Sequence, residues 1–171
     1  MVASLPTPGD IPDGVIPTDP PRVWLVLGEK IGDNNQVDVI ADALPWPLVR
    51  KILRFRPPYD REKPPFAVSI DHVDRERSDS LDPPWPDLIL TSGRRPSMAA
   101  LWVREQARGL CRVALIGKPS GLLERFDLIV MSAQNRLPDR SNVLAIGLPP
   151  IHVDRAAIQY AADAWQERLA P

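Results

Sequence analysis

The chain has one cysteine in 171 residues, Cys111. A single thiol excludes an intramolecular disulfide framework and a zinc site built from cysteines. Histidine is almost as scarce: His72 and His152 lie far apart in sequence. A multi-histidine metal site is therefore not expected, and no metal or cofactor is assigned. Long apolar runs are missing too. No stretch of about 18 apolar residues exists, so no helical membrane span is expected. The first 21 residues carry neither the basic n-region nor the apolar h-region of a secretory signal. An excess of one charge is also lacking. Lys and Arg total 21 and Asp and Glu total 22, a formal net charge of −1. A constitutive nucleic-acid binder usually carries a basic excess, so nucleic acid is not an expected partner. A lone thiol suits a reducing compartment, and the expected location is cytoplasmic or membrane-peripheral.

Proline is abundant, with 21 residues. Six lie within the first 21 positions and seven between Pro57 and Pro86. The first cluster reads as an extended or disordered tail over residues 1–20, because proline removes backbone donors and disfavours helix in the residue before it. The second falls in an irregular stretch, 56–86, with one short apolar piece at Phe66–Ile70. Loops of that length are usually functional or mobile.

Between these stretches the pattern is regular. Val23–Leu27 is a continuous apolar run, as expected of a strand covered on both faces. A helix is predicted over Asn35–Leu44, with Val37, Ile40, Ala41 and Leu44 inward and Pro45 as its stop. Leu48–Phe55 reads as a strand, and so does Asp87–Thr91. A second helix is predicted over Pro96–Arg108, with Pro96 first, Met98, Leu101, Trp102 and Gln106 inward and Gly109 as the stop. Arg112–Ile116, Leu128–Met131 and Val143–Ile146 follow as strands. Asp154–Leu169 reads as an amphipathic helix capped by Asp154, with Ile158, Ala161, Ala162 and Trp165 on one side. Short apolar strands alternating with helices predict an α/β, three-layer Rossmann-like domain over residues 21–171, with a mainly parallel sheet.

Ligands of such sheets bind beyond the C-terminal ends of the strands. That rule selects the loops Gly28–Gln36, Ser92–Pro96 and Gly117–Gly121. The first contains Gly28, Glu29, Gly32, Asp33, Asn34 and Gln36. Its glycines allow close backbone approach to a ligand, but a third glycine is missing, so it is not the dinucleotide fingerprint. Asp33 and Asn34 are equally suited to helix capping. In Ser92-Gly93-Arg94-Arg95 two guanidiniums follow a strand, suited to phosphate or carboxylate, with surface arginines on a turn as the alternative. Lys118 lacks a P-loop around it and reads as a solvated charge. Asp71–Asp74, around His72, reads as a solvated loop, and His152 as structural. The five tryptophans read as packing residues, with Trp46 and Trp85 anchoring irregular segments.

Three blocks carry a resemblance. PRVWLVLGEKIGDNNQV, PWPDLILTSGRRPSMAALWVR and LIGKPSGLLERFDLIVMSAQNRLPDRSNVLAIGLP occur in this order over about residues 21–150. Together they resemble the mitochondrial-fission, "elongated mitochondria"-type family. Its plant members are associated with mitochondrial division, and its bacterial relatives are commonly labelled nucleoside-diphosphate-sugar proteins. The resemblance implies the N-terminal, acceptor-side domain of a two-domain GT-B glycosyltransferase-type fold, with the C-terminal donor domain absent from these 171 residues and the isolated chain inactive. It implies a sugar or nucleotide-sugar ligand, Glu29 or Asp33 as general base, and Gly28, Gly32, Asn34, Gln36, Ser92, Gly93 and Arg94 as substrate-binding residues. Two alternatives accompany it: a sugar-nucleotide epimerase-like protein and a non-catalytic interaction module. A homodimer through the exposed cleft face is a further expectation.

Overall fold

The computed structural model describes residues 19–63, 65, 67–136 and 138–169. The expected tail therefore lies outside the described residues up to position 18, and so does Phe66. Six strands form one sheet: β1 Val23–Leu27, β2 Leu48–Ile52, β3 Leu88–Ser92, β4 Arg112–Ile116, β5 Leu128–Ser132 and β6 Val143–Ile146. Their spatial order is β2-β1-β3-β4-β5-β6, and every pairing is parallel. Three α-helices accompany them: α1 Ile31–Ala41, α2 Arg94–Gln106 and α3 Arg155–Leu169.

The period-2 alternation of strand side chains divides the core into two layers. Val23, Leu25 and Leu27 join Leu90, Ala114 and Ile116 under α1, where Val37 and Ala41 are buried. Trp24 and Val26 point the other way, with Ile89, Val113, Leu115, Ile129 and Met131, under α2. Met98, Leu101 and Val103 of α2 close that layer with no exposed surface. The central strands are thus covered on both faces, which is why they read as unbroken apolar runs. The edge strands differ, since Val49 of β2 and Leu144 of β6 are exposed.

Several boundaries depart from the sequence expectation. Helix α1 starts at Ile31, not Asn35, and ends at Ala41. Helix α2 starts at Arg94, two residues before Pro96, and ends at Gln106. Gln106 is exposed and Trp102 only partly buried, so the inward face centres on Met98 and Leu101. Gly109 still ends the helix, at φ +77 with its N–H on the Arg104 carbonyl. Strand β2 stops at Ile52, three residues short of Phe55. Beyond it the chain stays tied: Leu53 donates to the Leu27 carbonyl, and Phe55 bridges Val73 in antiparallel sense.

The stretch around His72 is not a solvated loop. His72 and Val73 are buried in the α2-side layer, together with Leu81. Residues 72–79 run back along 52–56: Asp79 accepts from the Ile52 N–H at 2.6 Å, and Ser78 Oγ from the Arg54 N–H at 2.8 Å. Trp46 and Trp85 pack against the two core layers, whereas Trp165 is 56% exposed and breaks the packing expectation. Asp154 does cap α3, accepting from the Ala157 N–H at 2.9 Å. The rest of α3 departs from an inward apolar side, since Ile158, Ala161, Ala162 and Trp165 are all exposed. Among the described residues, no helix is long and apolar enough to cross a membrane.

Candidate functional site

The strand order reverses direction between β1 and β3. From β1 the chain crosses through α1 to β2 on one side, and from β3 it crosses through α2 to β4 on the other. The connections leaving β1 and β3 therefore diverge to opposite faces and leave a crevice between them. A cavity of about 280 Å³ opens there, lined by Gly28, Glu29, Lys30, Asp33 and Asn34 from the first connection and Ser92, Gly93, Arg94, Arg95 and Pro96 from the second. Phe55, Asp60, Arg61 and Lys63 supply the third wall.

Both helices point their N-termini at this crevice. Lys30 is the N-cap of α1 and Gly93 that of α2, and neither helix has a side-chain cap. Uncapped N–H groups and the positive end of a helix dipole attract anions. Asp33 and Asn34 are not caps, because both lie inside α1. Asn34 instead donates its side-chain amide to the Gly28 carbonyl at 2.9 Å, which fixes the β1–α1 connection.

Close packing of backbone shapes the floor. A Cβ at Gly28 would sit 3.1 Å from Pro96 Cγ and 3.2 Å from the Phe55 ring. A Cβ at Gly93 would sit 2.8 Å from an Asp33 carboxylate oxygen, and Gly93 has φ +82 with ψ 156. L-residues rarely adopt that conformation, so this position demands glycine. Asp33 is thus pressed against the start of α2, half-buried between the two helix ends. Glu29 lies farther out on the rim, where its carboxylate takes Arg54 Nη1 at 2.8 Å.

The two arginines do different things. Arg95 turns to the long loop, where its guanidinium donates to the Glu62 carbonyl at 2.7 Å and the Asp60 carbonyl at 3.2 Å. It also lies 5.4 Å from the centre of the Phe55 ring. The other side of this brace is His72, stacked on Phe55 at 5.7 Å with Nε2 at 2.8 Å from the Arg95 carbonyl. A carbonyl can only accept, so Nε2 carries the proton. Burial pushes the His72 imidazole below its ordinary pKa, against the opposing pull of the Arg95 carbonyl and Asp71. Arg95 and His72 therefore hold the loop that brings Arg61 and Lys63 to the cavity, while Arg94 lines it. Five cationic side chains meet three carboxylates around this space. Cations and helix N-termini around a concavity favour an anion, and a carboxylate such as that of Asp33 can accept a proton from a group beside it.

Two expected site residues lie elsewhere. Gly32 faces a separate depression beside Asp38, Asp42 and His152. Gln36 lines a second cavity of about 290 Å³, which shares Asp33, Ser92 and Gly93 with the first and adds Gly117, Lys118, Ser132, Gln134 and Asn135. Lys118 is solvent-exposed, as expected, but on the rim of this cavity. The sequence reading missed Phe55, Arg61, Lys63 and Ser132. For Ser132 a signal existed: Asp87-Leu-Ile-Leu-Thr-Ser92 and Asp127-Leu-Ile-Val-Met-Ser132 share one pattern, and each ends on a buried serine at a strand's C-terminal end.

The family model described as Mitochondrial fission ELM1 matches residues 31–171. No curated protein and no solved structure matches the chain.

Proposed function

The chain belongs to the mitochondrial fission ELM1 family, and on that premise we propose that it is the acceptor-side domain of a GT-B-like, sugar-nucleotide-dependent glycosyltransferase. One observation carries the reading: two uncapped helix N-termini, Arg94 and the carboxylate of Asp33 meet in one crevice at the switch point of a parallel sheet. Arg94 and the helix ends hold an anionic group of the ligand. Asp33 rather than Glu29 serves as general base, because Glu29 is engaged by Arg54 on the rim. In the reaction an acceptor hydroxyl attacks the sugar's anomeric carbon. The bond to the nucleotide diphosphate breaks with its electron pair going to the phosphate oxygen, and the hydroxyl proton passes to Asp33. The donor nucleotide sits on a second α/β domain across the cleft.

Calorimetric titration with inorganic phosphate and with nucleoside diphosphate sugars tests this. Anion binding that Arg94→Ala weakens supports the reading. No binding by any of these ligands, or binding indifferent to Arg94, overturns it.

A second reading, a non-catalytic interaction module that pairs with another copy of itself, draws on the exposed Ile151, Val153, Ile158 and Trp165. Sedimentation equilibrium decides it. A dimer abolished by Trp165→Ala and Ile158→Asp together favours it, and a monomer at all concentrations excludes it.

A further inference from the structure

The two cavities that meet at Asp33 differ in chemistry. The first is ringed by Lys30, Arg61, Lys63, Arg94 and Arg95. The second, beyond the ends of β3, β4 and β5, is lined mainly by amides and hydroxyls: Gln36, Ser92, Ser132, Gln134 and Asn135. Its charges are few, with Lys118 on the rim and Asp33 at the shared wall. Ser92 and Ser132 are buried at the strand ends. Asn135 donates its amide to Ser132 Oγ at 3.1 Å, which orients that pair across the cavity floor. Gly117 ends β4 at a positive φ of +106, with its N–H on the Val130 carbonyl at 2.8 Å. A Cβ there would touch Ser92 Oγ at 3.5 Å.

Amides and hydroxyls both donate and accept, which suits a ring of alcohol groups and gives a bare anion little. We infer that the second cavity is a sugar-ring subsite, so that the ligand of this crevice is a phosphorylated sugar, its ring against Gln36, Gln134 and Asn135 and its phosphate in the first cavity with Arg94. Asp33 then lies where ring and phosphate subsites join, beside the ligand's hydroxyls. This rests on the proposed anion-binding crevice and adds the class of acceptor to it.

The test compares glucose 1-phosphate with inorganic phosphate by calorimetry, on the unmodified chain, on Gln134→Ala/Asn135→Ala and on Gln36→Ala. These side chains lie at or near the surface, and circular dichroism checks each fold. Two or three added hydrogen bonds make glucose 1-phosphate the tighter ligand by about tenfold or more. The double variant shrinks that preference to within about twofold and leaves phosphate binding unchanged, and Gln36→Ala lowers it by a smaller factor, because it removes one lining amide instead of two. Equal affinity for the two ligands, or a preference that survives both variants, overturns the subsite while leaving the anion crevice intact. Failure of both ligands to bind overturns the crevice itself, and the subsite with it.

Discussion

At the N-terminal ends of β3, β4 and β5 the charges pair across neighbouring strands, and at the C-terminal ends of β1 and β3 a cluster of them lines a cavity. Asp127, just before β5, accepts from the Val113 N–H at 2.9 Å, from Arg112 at 2.7 Å and lies 3.1 Å from Arg104. Asp87, just before β3, takes the Arg22 N–H at 2.8 Å. These carboxylates tie neighbouring strands together, so their charge serves the fold. Burial alone would raise the Asp127 carboxyl, but Arg112, the Val113 N–H and Arg104 outweigh it and hold it below the ordinary carboxylate value. At the other end the helix N-termini lack side-chain caps and cations ring an open space. One sheet thus separates charge that ties strands together from charge that lines a cavity, and the two ends should respond to mutation in opposite ways.

The largest effect is expected where the fold and the crevice touch. Gly93→Ala combines a forbidden backbone conformation with a clash against Asp33. It should cost about 3 kcal/mol in urea denaturation. Adding Asp33→Ala should recover only the part due to the clash, and full additivity would contradict the contact. Next comes Asp127→Ala, which strands the Val113 N–H and removes the carboxylate shared by Arg104 and Arg112. A loss of about 2–3 kcal/mol is expected, with phosphate affinity unchanged. An intact stability would show that the N-terminal end is not held by its charges. Arg94→Ala should do the reverse, weakening phosphate binding by about 1–3 kcal/mol and stability by less than about 1 kcal/mol.

The pH dependence sharpens the same contrast with smaller effects. His72 has a lowered pKa in the folded protein. The unfolded chain therefore takes up a proton first as pH falls below about 6.5, and stability declines from there down through the folded pKa. Asp127 acts at lower pH, because its stabilisation is present above its unfolded pKa and is lost as pH falls through the depressed folded value. Thermal melts of His72→Asn should flatten the first decline only, and those of Asp127→Asn the second only. A single unresolved decline in every variant would refute both assignments.

Much of the sheet was legible because its central strands are covered on both faces and so read as apolar runs. The helix starts were not. Helix α1 opens on Lys30 and Ile31, with no capping side chain, and Ile31 is 74% exposed, so neither a cap nor an apolar period marks its first turn. Gly93 hides the start of α2 in the same way, since it is an N-cap with no capping side chain, in a conformation of φ +82 and ψ 156. His72 looked solvated because Asp71 and Asp74 flank it, whereas its ring is buried by Phe55 and Tyr59, a pairing no local pattern announces. The converging loops follow from their place beyond the C-terminal ends of parallel strands, but Arg61 and Lys63 reach the cavity through Arg95's hold on the Asp60 and Glu62 carbonyls. Cys111 is buried in the α2-side core layer, and that burial pushes its thiol up to about 12.

The contrast between the two ends of the sheet is tested most directly by amide chemical-shift mapping during titration with inorganic phosphate. The amides of Lys30–Asp33 and Gly93–Arg95 should move together along one binding curve, while those of Arg22, Val113 and Asp127 stay still. Shifts centred on the N-terminal end, or none at either end, would contradict it.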